Sequence, residues 1–456
     1  MQSGVKLVGR YFILFRQYIK KVNTVLVFAL SKIHSYKKYL IRSIMVGTVI
    51  SIVVTFLSIL GHFRLYENII TDYFQSISHK KAQDVVLLFI TDNDYKKVFG
   101  GISPLSRRKL ADIIKVLVKL KARVIALDID ITEKKSDDKY LADAFQQAIN
   151  SGFPIVIIGN LIPLEKSNQQ MENLNDCLPY ADENTSYTDE RFLLFKKVDS
   201  GISWQDKPMY GGAMFRLDRD SVFRKAELLY MVESGDKRKE SLTSPVPSFP
   251  VTAAAAYAGM DKDALMNSLL TYHKGEIHLK GTYKEIGNIK FEKGGLITPV
   301  YIGNYRHFNY SCNLKQLLND YGYDKPGALT IFKDKVVIVG GTYDIHDFYI
   351  TPLGKMSGME ILANITQSIL NQQLISHTNF YIALFMEILF SVLISFVFII
   401  TTRLKATMLC LITLVPITVA ASMIAFYSIY YWLNFIPTIV GVIIHDWFKN
   451  IGGHEK

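Results

Sequence analysis

The sequence predicts an α/β extracytoplasmic domain attached to a membrane by four transmembrane helices, one before the domain and three after it. Three observations predict this fold class. Short, unbroken apolar runs rich in Val and Ile recur in the middle of the chain, as expected of strands buried on both faces of a parallel sheet. Long apolar stretches without charge lie near both ends. Lys and Arg are concentrated beside those stretches.

The mainly parallel sheet is predicted from four apolar runs. A helix with one apolar face separates the first two runs, and a helix around residues 139–149 separates the second from the third. These spacings suit right-handed crossovers between parallel strands. The apolar helix face consists of Leu110, Ile113, Ile114, Leu117 and Leu120. The runs are residues 85–90, 124–129, 154–159 and 336–341.

A long mixed insertion separates the third run from the fourth. Residues 160–180 are polar and predict a loop, whereas residues 190–330 mix short strand-like pieces with a helix near residues 249–257. The glycine pairs at residues 100–101 and 211–212 predict turns.

Charge and hydropathy predict the membrane plan. Residues 1–42 carry Lys and Arg but no Asp or Glu, so this basic segment is expected in the cytoplasm, where it is also suited to anionic lipid. With this orientation the cytoplasmic side also receives the later basic residues, Arg403, Lys405, Lys449 and Lys456. The predicted division is a first span at 43–60, an extracytoplasmic domain at 61–378, further spans at 380–402, 406–426 and 432–447, and a cytoplasmic tail at 448–456.

Two features near these spans leave alternatives open. Apolar residues between positions 5 and 40 alternate at steps of four and three, which predicts a helix that lies on lipid, packs on a partner helix, or packs on its own chain. Glu387 lies well inside a predicted span. It is either a helix-packing contact or close enough to the outer interface to reach water.

Carboxylates follow the predicted strands, at the edge where open α/β sheets bind ligands. They are Asp92, Asp94, Asp128, Asp130, Asp344 and Asp347. Together they suit a cation, either a hard metal ion such as Ca²⁺ or Mg²⁺ or an organic amine. Taken one at a time, each carboxylate is more simply explained as a helix cap, an ion-pair partner of Arg107 or Arg108, or a solvated group.

An enzymatic alternative rests on one short motif. Asp128, Asp130 and Thr132 fit the DxDxT pattern of haloacid-dehalogenase-like phosphohydrolases. In that interpretation Asp128 is the nucleophile and Asp130 the acid/base, with Asp344 and Asp347 as magnesium ligands. The motif falls on the second strand, and no clear catalytic lysine follows it.

Other classes of function find no support in the sequence. It contains no Ser-His-Asp motif, P-loop, dinucleotide fingerprint or CxxC spacing, so we expect no catalytic residues of those kinds, no structural metal site and no cofactor. The net charge of +11 lies largely in the basic segment and does not predict nucleic-acid binding. No cleavable signal peptide is expected. Cys177 and Cys312 would pair only if the fold brings them together.

The ordered set of motifs resembles the type-two CHASE domain, the cyclase/histidine-kinase-associated sensory extracellular module of bacterial receptors. The most extended piece is GGAMFRLDRDSVFR at residues 211–224. The sequence departs from the family at the turn of residues 104–107, where the family has tryptophans and this chain has Ser103 and Leu105. The matching segments are residues 85–94, 104–107, 122–128, 138–144, 211–224, 247–249, 302–306 and 336–364.

The resemblance implies a receptor in the bacterial inner membrane, with its large domain on the periplasmic side. Such receptors usually continue into a cyclase, kinase or phosphatase domain. This sequence stops about ten residues after its last predicted span, so we expect a stand-alone form with a separate cytoplasmic effector. Pairing into a homodimer is compatible with this plan. A scaffold that binds another envelope protein without sensing is the alternative that is not enzymatic. The candidate ligand-binding residues are Asp92, Asp94, Arg107, Asp128, Asp130, Thr342, Asp344 and Asp347.

Overall fold

The computed structural model describes residues 37–77, 81–159, 161–163, 194–197, 208–233, 243–270, 275–292, 295–311, 314–319, 330–343 and 347–451. The basic helix predicted before residue 37, the cysteines Cys177 and Cys312, and Asp344 lie outside these ranges. The chain divides into two compact units. One is Asp72–Ser376, and the other combines Met1–Thr71 with His377–Lys456.

The helices and strands are numbered here along the chain. The helices are α1 (Lys37–Ile59), α2 (Arg64–Ile77), α3 (Asp92–Lys97), α4 (Arg107–Lys119), α5 (Asp138–Asn150), α6 (Phe249–Ala258), α7 (Lys262–Leu270), α8 (Leu314–Asn319), α9 (Gly358–Leu370), α10 (Phe380–Ile400), α11 (Arg403–Leu409), α12 (Val415–Ile429) and α13 (Ile436–Ile451). The strands are β1 (Val85–Ile90), β2 (Val124–Asp128), β3 (Ile155–Gly159), β4 (Leu161–Pro163), β5 (Leu194–Lys197), β6 (Met209–Gly212), β7 (Ala226–Glu227), β8 (Leu229–Glu233), β9 (Thr243–Pro247), β10 (Glu276–Lys280), β11 (Glu285–Lys290), β12 (Leu296–Ile297), β13 (Asn309–Ser311), β14 (Val336–Gly341), β15 (Phe348–Thr351), β16 (Gly354–Ser357), β17 (Ser376–His377) and β18 (Tyr431–Trp432).

The central sheet of the Asp72–Ser376 unit confirms the predicted α/β class. Its strand order is β13-β1-β14-β2-β3-β6, and every neighbouring pair is parallel. The four predicted runs form the four central strands. The last of them in sequence, β14, lies between the first two, and the long insertion supplies the two edge strands, β6 beside β3 and β13 beside β1.

Each central strand is buried on both faces because helices cover both sides of the sheet. Alternate residues of β1 enter two separate cores: Val86 and Leu88 pack with α4 and α5, whereas Val85 and Leu87 pack with α6 and α9. This arrangement explains the continuous apolar runs, since a strand with one solvated face would alternate apolar and polar residues.

The prediction of a turn at Gly211 and Gly212 was wrong, because both residues belong to the edge strand β6. A Cβ atom on Gly211 would lie 2.4 Å from the Cα atom of Phe249, and one on Gly212 would lie 2.6 Å from a methyl group of Leu161. The glycines are therefore required for close packing of the strand rather than for a reversal of the chain.

The insertion builds small sheets beside the main one, with antiparallel pairing except between β5 and β8, which are parallel. Strands β4, β5, β8 and β9 form a four-stranded sheet, and β10 and β11 form a hairpin. A second hairpin, β15–β16, follows the central strand β14 and leads directly into the buried helix α9.

The prediction of four spans is not reproduced in full. Among the residues that the structure describes, two helical segments are long and apolar enough to cross a membrane, Phe380–Ile400 and Arg403–Ile429. The first predicted span retains a shorter apolar segment, Ile44–Ser58, and the last corresponds to the 16-residue helix α13. Both are shorter than the roughly 20 residues that a hydrocarbon core of about 30 Å requires.

Polar contacts join the apolar helices of the second unit. Helix α1 packs against α10 and α13. The buried Glu387 accepts a hydrogen bond from the Thr438 hydroxyl at 2.8 Å, and its backbone carbonyl accepts one from Ser51 at 3.0 Å. Of the two alternatives for Glu387, the structure therefore supports a helix-packing contact. Arg403 makes a bidentate ion pair with Asp446, with N–O distances of 2.9 and 2.7 Å.

Candidate functional site

The carboxyl ends of β1, β14 and β2 lie side by side, because these three strands are neighbours and parallel. Ile90 is in register with Gly341, and Gly340 is in register with Asp128. The backbone N–H of Thr342 donates to the carbonyl of Ile90 at 3.0 Å. The loops that carry the predicted site residues therefore start from one edge of the sheet.

Two predicted carboxylates, Asp128 and Asp347, interact at this edge. Asp128 is half-buried at the end of β2, and burial raises its pKa to about 7, with the nearby charge of Asp347 adding to the effect. The Asp347 carboxylate lies against the first turn of α9, since a Cβ atom on Gly358 would meet both of its oxygens at 2.6 Å. The backbone N–H of Gly358 also donates to the carbonyl of Asp347 at 3.0 Å, so this residue is attached to the start of α9.

Three other predicted aspartates are placed differently. The buried Asp94 accepts hydrogen bonds from the backbone and hydroxyl of Thr91, so it completes a capping box of α3. Asp130 is exposed and accepts from the backbone and hydroxyl of Thr132 at 2.8 and 2.6 Å. Asp92 is exposed in the first turn of α3. For Asp94 the simpler explanation, a helix cap, is the one that the structure supports.

Arg107 is fully buried and serves a structural contact. Its Nε donates to Asp138 at 3.1 Å, and its Nη2 donates to the carbonyl of Glu133 at 2.8 Å. Arg107 therefore ties the start of α4 to the loop that follows β2.

An arginine that the sequence reasoning did not single out organises a second polar cluster. Arg224 makes a bidentate ion pair with Asp72 on α2, with N–O distances of 2.9 and 2.8 Å. It also pairs with Asp218 at 3.0 Å and with Asp220 at 2.8 Å. Burial raises the pKa of Asp72, whereas the hydrogen bond from Arg224 lowers that of Asp220. We call these four residues the Arg224 cluster.

Aromatic and backbone contacts connect the Asp128–Asp347 pair to the Arg224 cluster. Tyr349 hydrogen-bonds Asp347, and its ring lies 4.6 Å from that of Phe215. The backbone N–H of Phe223 donates to the carbonyl of Ile350 at 2.8 Å. The β15–β16 hairpin thus holds the segment that ends at Arg224.

The C-terminal half of α2 is held at further points within the Asp72–Ser376 unit. The Gln75 side-chain carbonyl accepts from the backbone N–H of Tyr301 at 3.0 Å, and Phe74 is 3% exposed. The Tyr301 hydroxyl donates to the carbonyl of Phe223, the residue next to Arg224. Helix α2 is therefore attached to the loop that the strand-end hairpin positions.

The residues around Asn364, part of the segment that resembled the family, stabilise the fold. Glu360 forms a capping box with Ser357 and also accepts from the backbone N–H of Tyr305 at 2.7 Å. Asn364 bonds the backbone of Ile302 and Gly303. These buried side chains satisfy the backbone of residues 302–305, so their role is structural.

Within the described part of the chain, no group of three or more His, Cys, Asp or Glu side chains is arranged to hold a metal ion. Asp344, which both the cation hypothesis and the phosphohydrolase alternative include, lies outside that part. Of the other carboxylates in the phosphohydrolase alternative, the structure brings Asp347 close to Asp128, whereas Asp130 is exposed and bonds Thr132.

The family model for the CHASE2 domain matches residues 48–401, and the chain belongs to this family of sensory extracellular domains. Neither a curated protein nor a solved structure shows significant similarity to the chain.

Proposed function

We propose that this protein is a multi-pass sensor of the bacterial inner membrane, whose periplasmic domain binds a small ligand or a partner at the strand ends. Membership of the CHASE2 family supports a role in signal sensing. The observation that carries the finer proposal is the continuous set of contacts from Asp128 and Asp347 to the Arg224 cluster, of which Asp72 lies on α2. A change at the strand ends can reach α2 through these contacts.

In this proposal the chain crosses the membrane four times, through α1, Phe380–Ile400, Arg403–Ile429 and α13. Their packing on α10 supports this arrangement, since Glu387 of α10 bonds residues of both neighbours. The basic residues at positions 37, 38 and 42 and at Lys449 would sit in the headgroup region on the cytoplasmic side.

Reporter fusions provide a test of this topology. A periplasm-active reporter is expected to be active when fused after Gly61, Asn175 or Tyr430 and inactive after Thr402 or Lys456, because the basic loops stay inside. Activity after Lys456 would contradict the four-span arrangement.

If the domain senses a ligand at the strand ends, a change there should alter the local stability of α2. We expect Asp128→Asn, in the full chain in detergent, to change amide hydrogen exchange at residues 218–224 and 72–77, where the Arg224 cluster lies. The physical reason is that neutralising Asp128 removes its repulsion of Asp347, and Asp347 contacts the hairpin that holds this loop. Exchange measured by mass spectrometry on both segments checks the prediction.

The matched control is Asp92→Asn, which removes an exposed carboxylate at the same sheet edge. It should leave both segments unchanged. If Asp128→Asn changes exchange only within a few residues of the substitution, the strand ends are not coupled to α2, and the scaffold alternative is favoured.

We further propose that the receiver of the signal is a separate cytoplasmic protein. The basic segment at residues 1–42, with its predicted apolar helix face, offers a surface for a partner helix on the cytoplasmic side.

A further inference from the structure

Helix α2 carries large apolar side chains on the face opposite its own packing contacts. Thr71, Phe74 and Gln75 are buried. On the opposite side lies a row of side chains with exposures of 43–61%, which we call the α2 stripe. It consists of Leu65, Tyr66, Ile69, Tyr73 and Ile77. A helix that packs on one side normally presents polar residues on the other, so the α2 stripe requires a covering partner.

The spacing of the α2 stripe favours another helix as that partner. Tyr66, Ile69 and Tyr73 follow one another at steps of three and four residues, the repeat of a coiled-coil seam. Leu65 and Ile77 flank this seam on the same face, since each residue turns the helix by about 100°.

The charges on α2 argue against a lipid surface as the cover. Helices that lie on membranes are rich in Lys and Arg on their polar face. Helix α2 contains one basic residue, Arg64, and two acidic ones, Glu67 and Asp72. Asp72 is paired with Arg224, so α2 lacks the basic polar face that binds a helix to a lipid surface.

We propose that the α2 stripe pairs with the α2 stripe of a second copy of this chain. Two copies inserted in one membrane have the same orientation, so their α2 helices meet in parallel and each seam residue contacts its own counterpart about a twofold axis. Apolar and aromatic side chains are then removed from water without introducing an unpaired charge. This pairing rests on the proposed membrane insertion but not on ligand sensing.

Disulfide trapping in native membranes tests the pairing. The background is the full chain with Cys177→Ser, Cys312→Ser and Cys410→Ala. Single substitutions Ile69→Cys and Tyr73→Cys should shift the chain to twice its mass on a non-reducing gel after mild oxidation. The matched control Arg64→Cys, on the opposite face of the same helix, should remain at the monomer mass, because its thiols would be too far apart to bond.

Two results would overturn the proposal. One is equal cross-linking at Arg64 and at the seam, which indicates random collision. The other is no cross-linking at Ile69 or Tyr73, whether those thiols react readily with a water-soluble maleimide, as an open face would, or slowly, as a lipid-covered face would. As an independent check, light scattering in detergent should give the mass of a dimer for the wild type and of a monomer for Ile69→Arg.

Discussion

Replacing Arg224 with alanine is expected to lower the free energy of unfolding by about 3 kcal/mol, the low end of the loss when one partner of a buried ion pair is removed. The Arg224 side chain is 7% exposed and faces three carboxylates, on Asp72, Asp218 and Asp220. Without the guanidinium these carboxylates repel one another, and Asp72 keeps its desolvation cost without its partner. The low end applies because the carboxylate side chains remain 20–32% exposed.

The measurement is thermal unfolding of the full chain in detergent, with the fraction that resists protease as the signal for folded protein. Arg219→Ala is the matched control, since Arg219 is exposed in the same loop. This variant should have the melting temperature of the wild type. Arg224→Lys should fall between the two, because a single ammonium group cannot make the bidentate contact with Asp72. If Arg224→Ala had the same melting temperature as the wild type, the Arg224 cluster would contribute no stability.

Asp128→Asn is expected to raise stability above neutral pH and to have little effect under acidic conditions. The pKa of Asp128 is raised from 3.8 to about 7 in the folded protein. Between these values the folded state holds a proton that the unfolded chain has released, so wild-type stability falls as the pH rises through this window. The upper bound on this loss is about 4 kcal/mol, and we expect about 2 kcal/mol because the side chain is only half-buried.

Thermal melts of wild type and variant at about pH 5 and about pH 8 check this prediction. Asp92→Asn should show the wild-type pH dependence. A lower melt for Asp128→Asn at both pH values would show that the carboxylate is a structural partner. If the Asp128–Asp347 pair binds Ca²⁺, Mg²⁺ or an amine, a hundredfold excess over the dissociation constant should stabilise the wild type by about 2.7 kcal/mol. The variant should respond less.

The central strands could be predicted because burial on both faces leaves a local signature, a continuous apolar run. The edge strands could not be predicted in the same way. Residues 209–212 contain the glycine pair that suggested a turn, and their strand character depends on pairing with β3 and on the close approach of α6. The first and last predicted spans differ from the structure in another way: helix α1 has 23 residues but an apolar segment of only Ile44–Ser58, and helix α13 has 16 residues.

The candidate site shows the same division. The sequence alone placed Asp128 and Asp347 after strands of one parallel sheet, but only the structure shows that β2 and β14 are neighbours. It also determined the family, because the motifs and their order can be recognised in the sequence without any knowledge of contacts. It could not distinguish Asp94, which caps a helix, from Asp128, which does not, because that depends on which way each side chain turns.

Only the tertiary structure identified Arg224 as the centre of a cluster. Its partner Asp72 is 152 residues away in sequence, and no local periodicity records an ion pair across such a separation. The same holds for the exposure of the α2 stripe, which depends on which face of the helix the rest of the domain covers. Local sequence specifies strands and helices through their own burial patterns, whereas contacts between distant side chains exist only once the chain has folded.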